Sequence, residues 1–209
     1  MKKVIGISRN LGLAALLTIS LGLTACDQLG FGSNAKPTFQ GVDLTGAEYA
    51  RSLNMSDQDG RSRSLAEFKG KIPVVFFGYT QCPDVCPTTL AELAEVKRSL
   101  GADGERVQGI FVTIDPERDS AALLKAYVAS FDPSFIALRG SDEQTKAVAK
   151  EFKVYFAKVA GKTPESYTMD HTAASFIFDT QGRVRVFSRY GSGASALAND
   201  IKLLLAEKN

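Results

Sequence analysis

Three observations predict an α/β fold. Short apolar, β-branched runs alternate with segments of helical periodicity. Near the C-terminus a Gln181-Gly182 turn joins two strand-like runs, which adds an antiparallel edge. An earlier turn signal, Asp59-Gly60, lies ahead of the first buried strand and reads as an N-terminal β-hairpin extension. The 209 residues suffice for one such domain plus a short extension, and no internal repeat marks a second.

The N-terminus stands apart from that fold. Lys2, Lys3 and Arg9 precede an apolar run over residues 11–25. A basic n-region and an h-region of this length make a signal peptide, and the run is short for a membrane-spanning helix. Leu23-Thr24-Ala25-Cys26 resembles a bacterial lipobox. The resemblance implies cleavage before Cys26, with lipid on its sulfur and new amino terminus. At about 0.8 kcal/mol per buried methylene, several acyl chains anchor firmly. Asp27 resembles the signal that retains a lipoprotein at the inner membrane. Residues 1–25 are therefore expected to be a lipoprotein signal peptide and 26–38 a lipidated Cys with a flexible, Gly/Ser/Asn-rich tether. The folded domain is expected over 39–209. It would lie in the periplasm, where close cysteines can pair. Net charge is +2, too small for a nucleic-acid footprint.

Within the domain, residues 72–77 (IPVVFF) read as a central strand with Pro73 near its start. Leu90, Leu93, Ala94 and Leu100 recur at helical spacing, and Gly101 is a stop signal. Residues 107–114 read as a second buried strand. Residues 120–131 and 142–152 read as helices, the first capped by Asp119 or Ser120. Residues 174–179 and 184–188 form the late hairpin, and 194–207 closes the chain as an amphipathic helix. A strand feeding a Cys pair at a helix start, followed by a late hairpin and final helix, resembles the thioredoxin fold.

Cys82 and Cys86 follow the first buried strand in FFGYTQCPDVCPTTL. Near-helical residues four apart share a face, with α-carbons about 6 Å apart, within disulfide range. A helix N-terminus favours the thiolate, the form that attacks disulfides and binds metals. Pro83 and Pro87 stiffen the turn. Three uses fit: a structural disulfide, of modest value across so small a loop; a redox pair, against which the CxxxC spacing counts; and a soft-metal site, which needs a third ligand. A peroxidatic site would need a Thr-x-x-Cys pattern, and position 79 is Tyr.

His171 is the only histidine, in YTMDHTA, just before the 174–179 strand. In a thioredoxin-like sheet the loop entering that strand faces the cysteine loop, so His171 is placed to complete a Cys2His site. Asp170 either orients the imidazole or caps a turn. Met169 is either a soft axial ligand or, as favoured here, a packing residue.

The run CPDVCP, then VTIDPERDS, FKVYFAKV and MDHTAASFIFDTQG, resembles the Sco/SenC family of copper-handling proteins over roughly residues 39–205. The resemblance implies a thioredoxin-like fold anchored on the outer side of the inner membrane. It implies copper, Cu(I) and also Cu(II), held by Cys82, Cys86 and His171, with a role in maturing the dinuclear copper centre of cytochrome c oxidase subunit II. A thiol reductase and an upstream copper donor would be further partners. The rival activity is thiol–disulfide exchange by Cys82 and Cys86, which would keep the oxidase cysteines reduced. Asp84 is expected to shape the loop, and Asp115 and Asp119 to make a turn and an N-cap. The sequence departs from the family pattern at Gln81, where many relatives have His, and at Met169, where an aliphatic residue is commoner.

Overall fold

The computed structural model describes residues 38–163 and 166–207. The signal peptide, Cys26 and all of the tether but Thr38 lie outside the described residues. Among the described residues no helix is long and apolar enough to cross a membrane.

Strand β4 (Ile72–Gly78) is buried at every position and forms the centre of an eight-stranded sheet. It pairs in parallel with β5 (Val107–Thr113), also buried throughout. Continuous apolar runs of this kind are what a sheet covered on both faces requires. Beyond β5 lies β6 (Ile136–Arg139), again parallel. On its other side β4 pairs antiparallel with β9 (Ala174–Phe178), and β9 with β10 (Val184–Arg189), the expected late hairpin. The short β1 (Val42–Asp43) closes that edge.

The early hairpin is an extension of the sheet, as predicted. Strands β2 (Met55–Asp57) and β3 (Ser62–Arg63) pair with each other, and β2 adds to the edge of β6. The buried Asp57 carboxylate accepts from the amides of Asp59 and Arg61 and from Arg63 Nε. Gly60 turns the chain at φ +79°, a conformation costly for residues with a Cβ.

Helix α1 (Val85–Ser99) buries Leu90, Leu93 and Ala94 and packs beside α4 (Ala194–Ala206). Helix α2 (Ala121–Ala129) is capped by Ser120, whose Oγ accepts from Leu123 N at 3.2 Å. Helix α3 (Asp142–Glu151) begins with a Ser141/Gln144 capping box. Asp119 is therefore not the cap of α2.

Strands β6, β7 (Phe156–Val159) and β8 (Thr168–His171) depart from the sequence expectation, and β8 bears on the site. His171 was placed in a loop, but it ends β8, which pairs antiparallel with β7 in a separate two-stranded sheet. The pairing sets Phe156 opposite His171. Strands of four residues, largely polar or exposed, carry little periodicity to read.

Candidate metal centre

The cysteine loop begins where β4 ends. Gly78 is the last strand residue, and a Cβ there would lie 2.7 Å from Cys86 Sγ and 2.9 Å from the Phe111 ring. Only a glycine lets Cys86 pack this tightly onto the sheet. The chain then turns, with Cys82 N donating to the Tyr79 carbonyl at 3.2 Å. Asp84 precedes α1 and accepts from the Thr88 and Tyr190 hydroxyls, so it does shape the loop. Cys86 enters the first turn of α1 fully buried, while Cys82 is partly exposed. Both are free thiols. The Cys86 amide donates to Cys82 Sγ at 3.4 Å, which aims the helix N-terminus at that sulfur.

His171 reaches the pair from the hairpin. Its Nε2 lies 3.7 Å from Cys86 Sγ, and its Nδ1 lies 3.1 Å from the Thr172 carbonyl. A carbonyl only accepts, so Nδ1–H donates to it, and Nε2 is the ring atom that faces the sulfurs. The rings of Phe76 and Tyr79 stand edge-on to the imidazole at 5.9 and 6.2 Å. The donor atoms of Cys82, Cys86 and His171 lie within 4.8 Å of one another. Small side-chain rotations bring such a set onto one ion at metal–donor distances of about 2.0–2.3 Å. Two soft sulfurs and one imidazole suit copper or zinc.

The two thiols differ in acidity. Cys82 is lowered to about 5, chiefly because the Cys86 thiol donates to it; burial opposes this, and the Asp84 and Cys86 amides and His171 add to it. Cys86 is pushed far up, by donating to Cys82 and by burial. The pair is thus a Cys82 thiolate held by a buried Cys86 thiol.

Asp115 and Asp119 do more than form a turn. The Asp119 carboxylate is buried and accepts from Thr80 N, Thr80 Oγ1 at 2.5 Å and Thr113 Oγ1 at 2.6 Å. Burial raises its pKa. This anchors the start of the cysteine loop to the end of β5. Asp115 accepts from Arg118 Nε and from the Tyr167 hydroxyl. Gln81 accepts from Arg118. Asp170 is exposed on the outer face of β8, and the Thr172 carbonyl, not Asp170, meets the His171 ring. Met169 is buried in the core and lines a cavity of about 300 Å3 with Ile114, Thr145 and Phe156. Sequence reasoning missed Arg118, Thr80 and Tyr167. The signal was present in DPERDS, since a buried-side Arg between two Asp residues needs partners.

A thioredoxin-like sheet with a dithiol at a helix start and an imidazole opposite defines a class of thiol- and metal-handling domain. The chain belongs to the SCO1/SenC family, whose profile matches residues 42–206. A SCO2-like protein of Rickettsia felis is 36% identical over 132 residues, 63% of this chain. This chain spans 64% of that relative's length, just under two thirds. The solved structure of Bradyrhizobium japonicum ScoI with copper bound is 40% identical, covers 74% of this chain and 98% of its own, and has a TM-score of 0.67. Apo Sco1 from Thermus thermophilus is 35% identical, covers 82% of this chain and 99% of its own, and has a TM-score of 0.73.

Proposed function

We propose that this chain is a copper metallochaperone for the dinuclear copper centre of cytochrome c oxidase subunit II. On this reading it is anchored through lipid on Cys26 to the bacterial inner membrane and works in the periplasm. The observation that carries the proposal is the Cys82, Cys86 and His171 group, with donor atoms within 4.8 Å. Its chemistry fits Cu(I) and tolerates Cu(II). The copper bound to the Bradyrhizobium relative and the family membership support it. The anchor rests on the lipobox-like LTAC ending at Cys26.

Copper is cargo here. Cys82 and His171 are partly exposed and Cys86 is buried, so an acceptor displaces the two outer donors first and Cys86 last. Joining the Cys82 thiolate and the Cys86 thiol in a disulfide gives two electrons to an oxidant of the compartment, releases one proton, and leaves neither sulfur available as a thiolate donor. A thiol reductase must therefore keep the pair reduced, and a copper donor must load it. The test is copper content and absorption of the full chain in detergent, reduced and oxidised, beside His171→Ala. About one copper per reduced chain, lost on oxidation and weakened without His171, is expected. Undiminished affinity and an unchanged spectrum in His171→Ala overturn the three-donor site.

A second reading is favoured by the thiol asymmetry. A partly exposed thiolate next to a buried thiol is also the arrangement of a thiol–disulfide reductase, with Cys82 attacking and Cys86 resolving. Disulfide exchange needs no imidazole donor. Full exchange activity in His171→Ala, together with no copper in the reduced wild type, selects this reading.

A further inference from the structure

Two segments frame the dithiol–imidazole group, and the Arg118 side chain touches both. Gln81 adjoins Cys82, and Tyr167 leads into β8, which carries His171. Arg118 Nη1 donates to Gln81 Oε1 at 3.0 Å and to the Tyr167 carbonyl at 2.8 Å. Arg118 Nε donates to Asp115, which also accepts from the Tyr167 hydroxyl at 2.8 Å. The guanidinium lies 3.5 Å above the Tyr167 ring. Its Nη2 is buried without a hydrogen-bond partner among the described residues. The side chain is 14% exposed.

The Tyr79 hydroxyl also reaches the Met169 backbone in β8, and its ring stands edge-on to His171, beneath Arg118, but among the described residues it makes no hydrogen bond to Gln81 or Tyr167. Other neighbouring contacts hold one side only. The Asp119 carboxylate holds Thr80 on the cysteine loop, and its hydrogen bonds among the described residues go to Thr80 and Thr113, not to the hairpin. The exposed Glu117–Lys158 pair reaches β7 but not the cysteine loop, and such pairs contribute little. We propose that Arg118 is a positioning residue of this site. Its guanidinium sets the separation between the loop of Cys82 and the hairpin of His171, so that the imidazole meets the two sulfurs. The role suits Arg because its planar fork donates in two directions while its face stacks on a ring; Lys does neither. The inference rests on reading the site as a copper site.

The test uses the full chain in detergent, reduced, with Cu(I) affinity read by chelator competition and Cu(II) absorption and EPR spectra recorded. Arg118→Met weakens copper roughly ten- to a hundredfold, the loss typical when a group that orients a ligand is removed. Its spectra shift toward those of His171→Ala, and the alkylation rate of Cys82 stays near wild type. Arg118→Lys restores only part of the affinity. In a His171→Ala background Arg118→Met has no further effect, since the two act on one donor. Gln81→Ala, which removes an exposed contact and leaves the core intact, gives a smaller shift of the same kind and keeps the test sound if Arg118→Met fails to fold. Wild-type affinity and spectra in these variants while His171→Ala is weakened overturn the inference and leave the copper site standing. Losses that add fully to that of His171→Ala do the same. If His171→Ala itself binds copper as well as wild type, the copper site as read here fails first.

Discussion

The cysteine loop and the histidine hairpin serve one site from unlike structures. Cys86 is fully buried against β4, the central strand of an eight-stranded sheet, and its loop is pinned through Thr80 to the buried Asp119. His171 ends a four-residue strand paired with β7 in a separate two-stranded sheet, beside the 65% exposed Tyr155. Small, exposed elements sit at the low end of local stability. The loop therefore provides a pair of sulfurs anchored on the main sheet, and the hairpin brings a third donor on a smaller, more exposed element. On the proposed chaperone reading, in which an ion is both held and released, that division places the third donor on the weaker element.

The largest effect tests the division directly. Cys82→Ser or Cys86→Ser is expected to take copper from about one per chain to near zero, because neither leaves a soft pair. His171→Ala is expected to keep the copper but bind it roughly a hundredfold more weakly, about 3 kcal/mol. Equilibrium competition with a copper chelator measures both. If His171→Ala abolishes binding as completely as the cysteine variants do, the two regions are not unequal in the way argued.

A second effect concerns acidity. Because Cys82 is lowered to about 5, its thiolate is populated above that pH. Alkylation of the reduced apo-protein should rise through about pH 5 and level off by neutrality, where an ordinary thiol is still rising. The Cys86 thiol is the largest cause and His171 the smallest named. Cys86→Ala should thus move the midpoint upward by more than His171→Ala does. The reverse order would mean that the hairpin, not the loop, controls the thiolate.

Third comes packing beneath the loop. Gly78→Ala drives a methyl to within 2.7 Å of Cys86 Sγ and about 3 Å of the Phe111 and Phe76 rings, side chains that are themselves buried in the core. Overpacking of this kind costs about 1–3 kcal/mol. Urea unfolding should show it, and copper affinity should fall with it because Cys86 is displaced. No comparably tight glycine lies in β7 or β8, since neither strand contains one.

The contrast also explains what was legible in the sequence. β4, β5 and the late hairpin are apolar runs bounded by turn residues, and each was predicted within a residue or two of its observed bounds. The i, i+4 cysteines at a helix start were equally visible. β6 escaped notice because four residues, IALR, follow a loop without periodicity. β7 and β8 escaped because their pairing is with each other and their burial is partial, so neither alternation nor a long apolar run marks them. Asp119 read as a helix cap because Asp before a helix usually is one. Its buried hydrogen bonds to Thr80 and Thr113, in other elements, depend on tertiary contacts that local spacing does not encode.

The smallest predicted effect falls on Met169, which shares the inward face of β8 with His171. Its side chain is buried with Ile114, Thr145 and Phe156 around the cavity behind the hairpin. Met and Leu have similar volumes, and such swaps usually cost less than about 1.5 kcal/mol. Met169→Leu should therefore shift the unfolding midpoint slightly and leave copper affinity and spectra unchanged. A tenfold loss of affinity without a matching loss of stability would make the thioether a fourth donor. The hairpin would then contribute two donors, and the cysteine loop would no longer hold the larger share of the site.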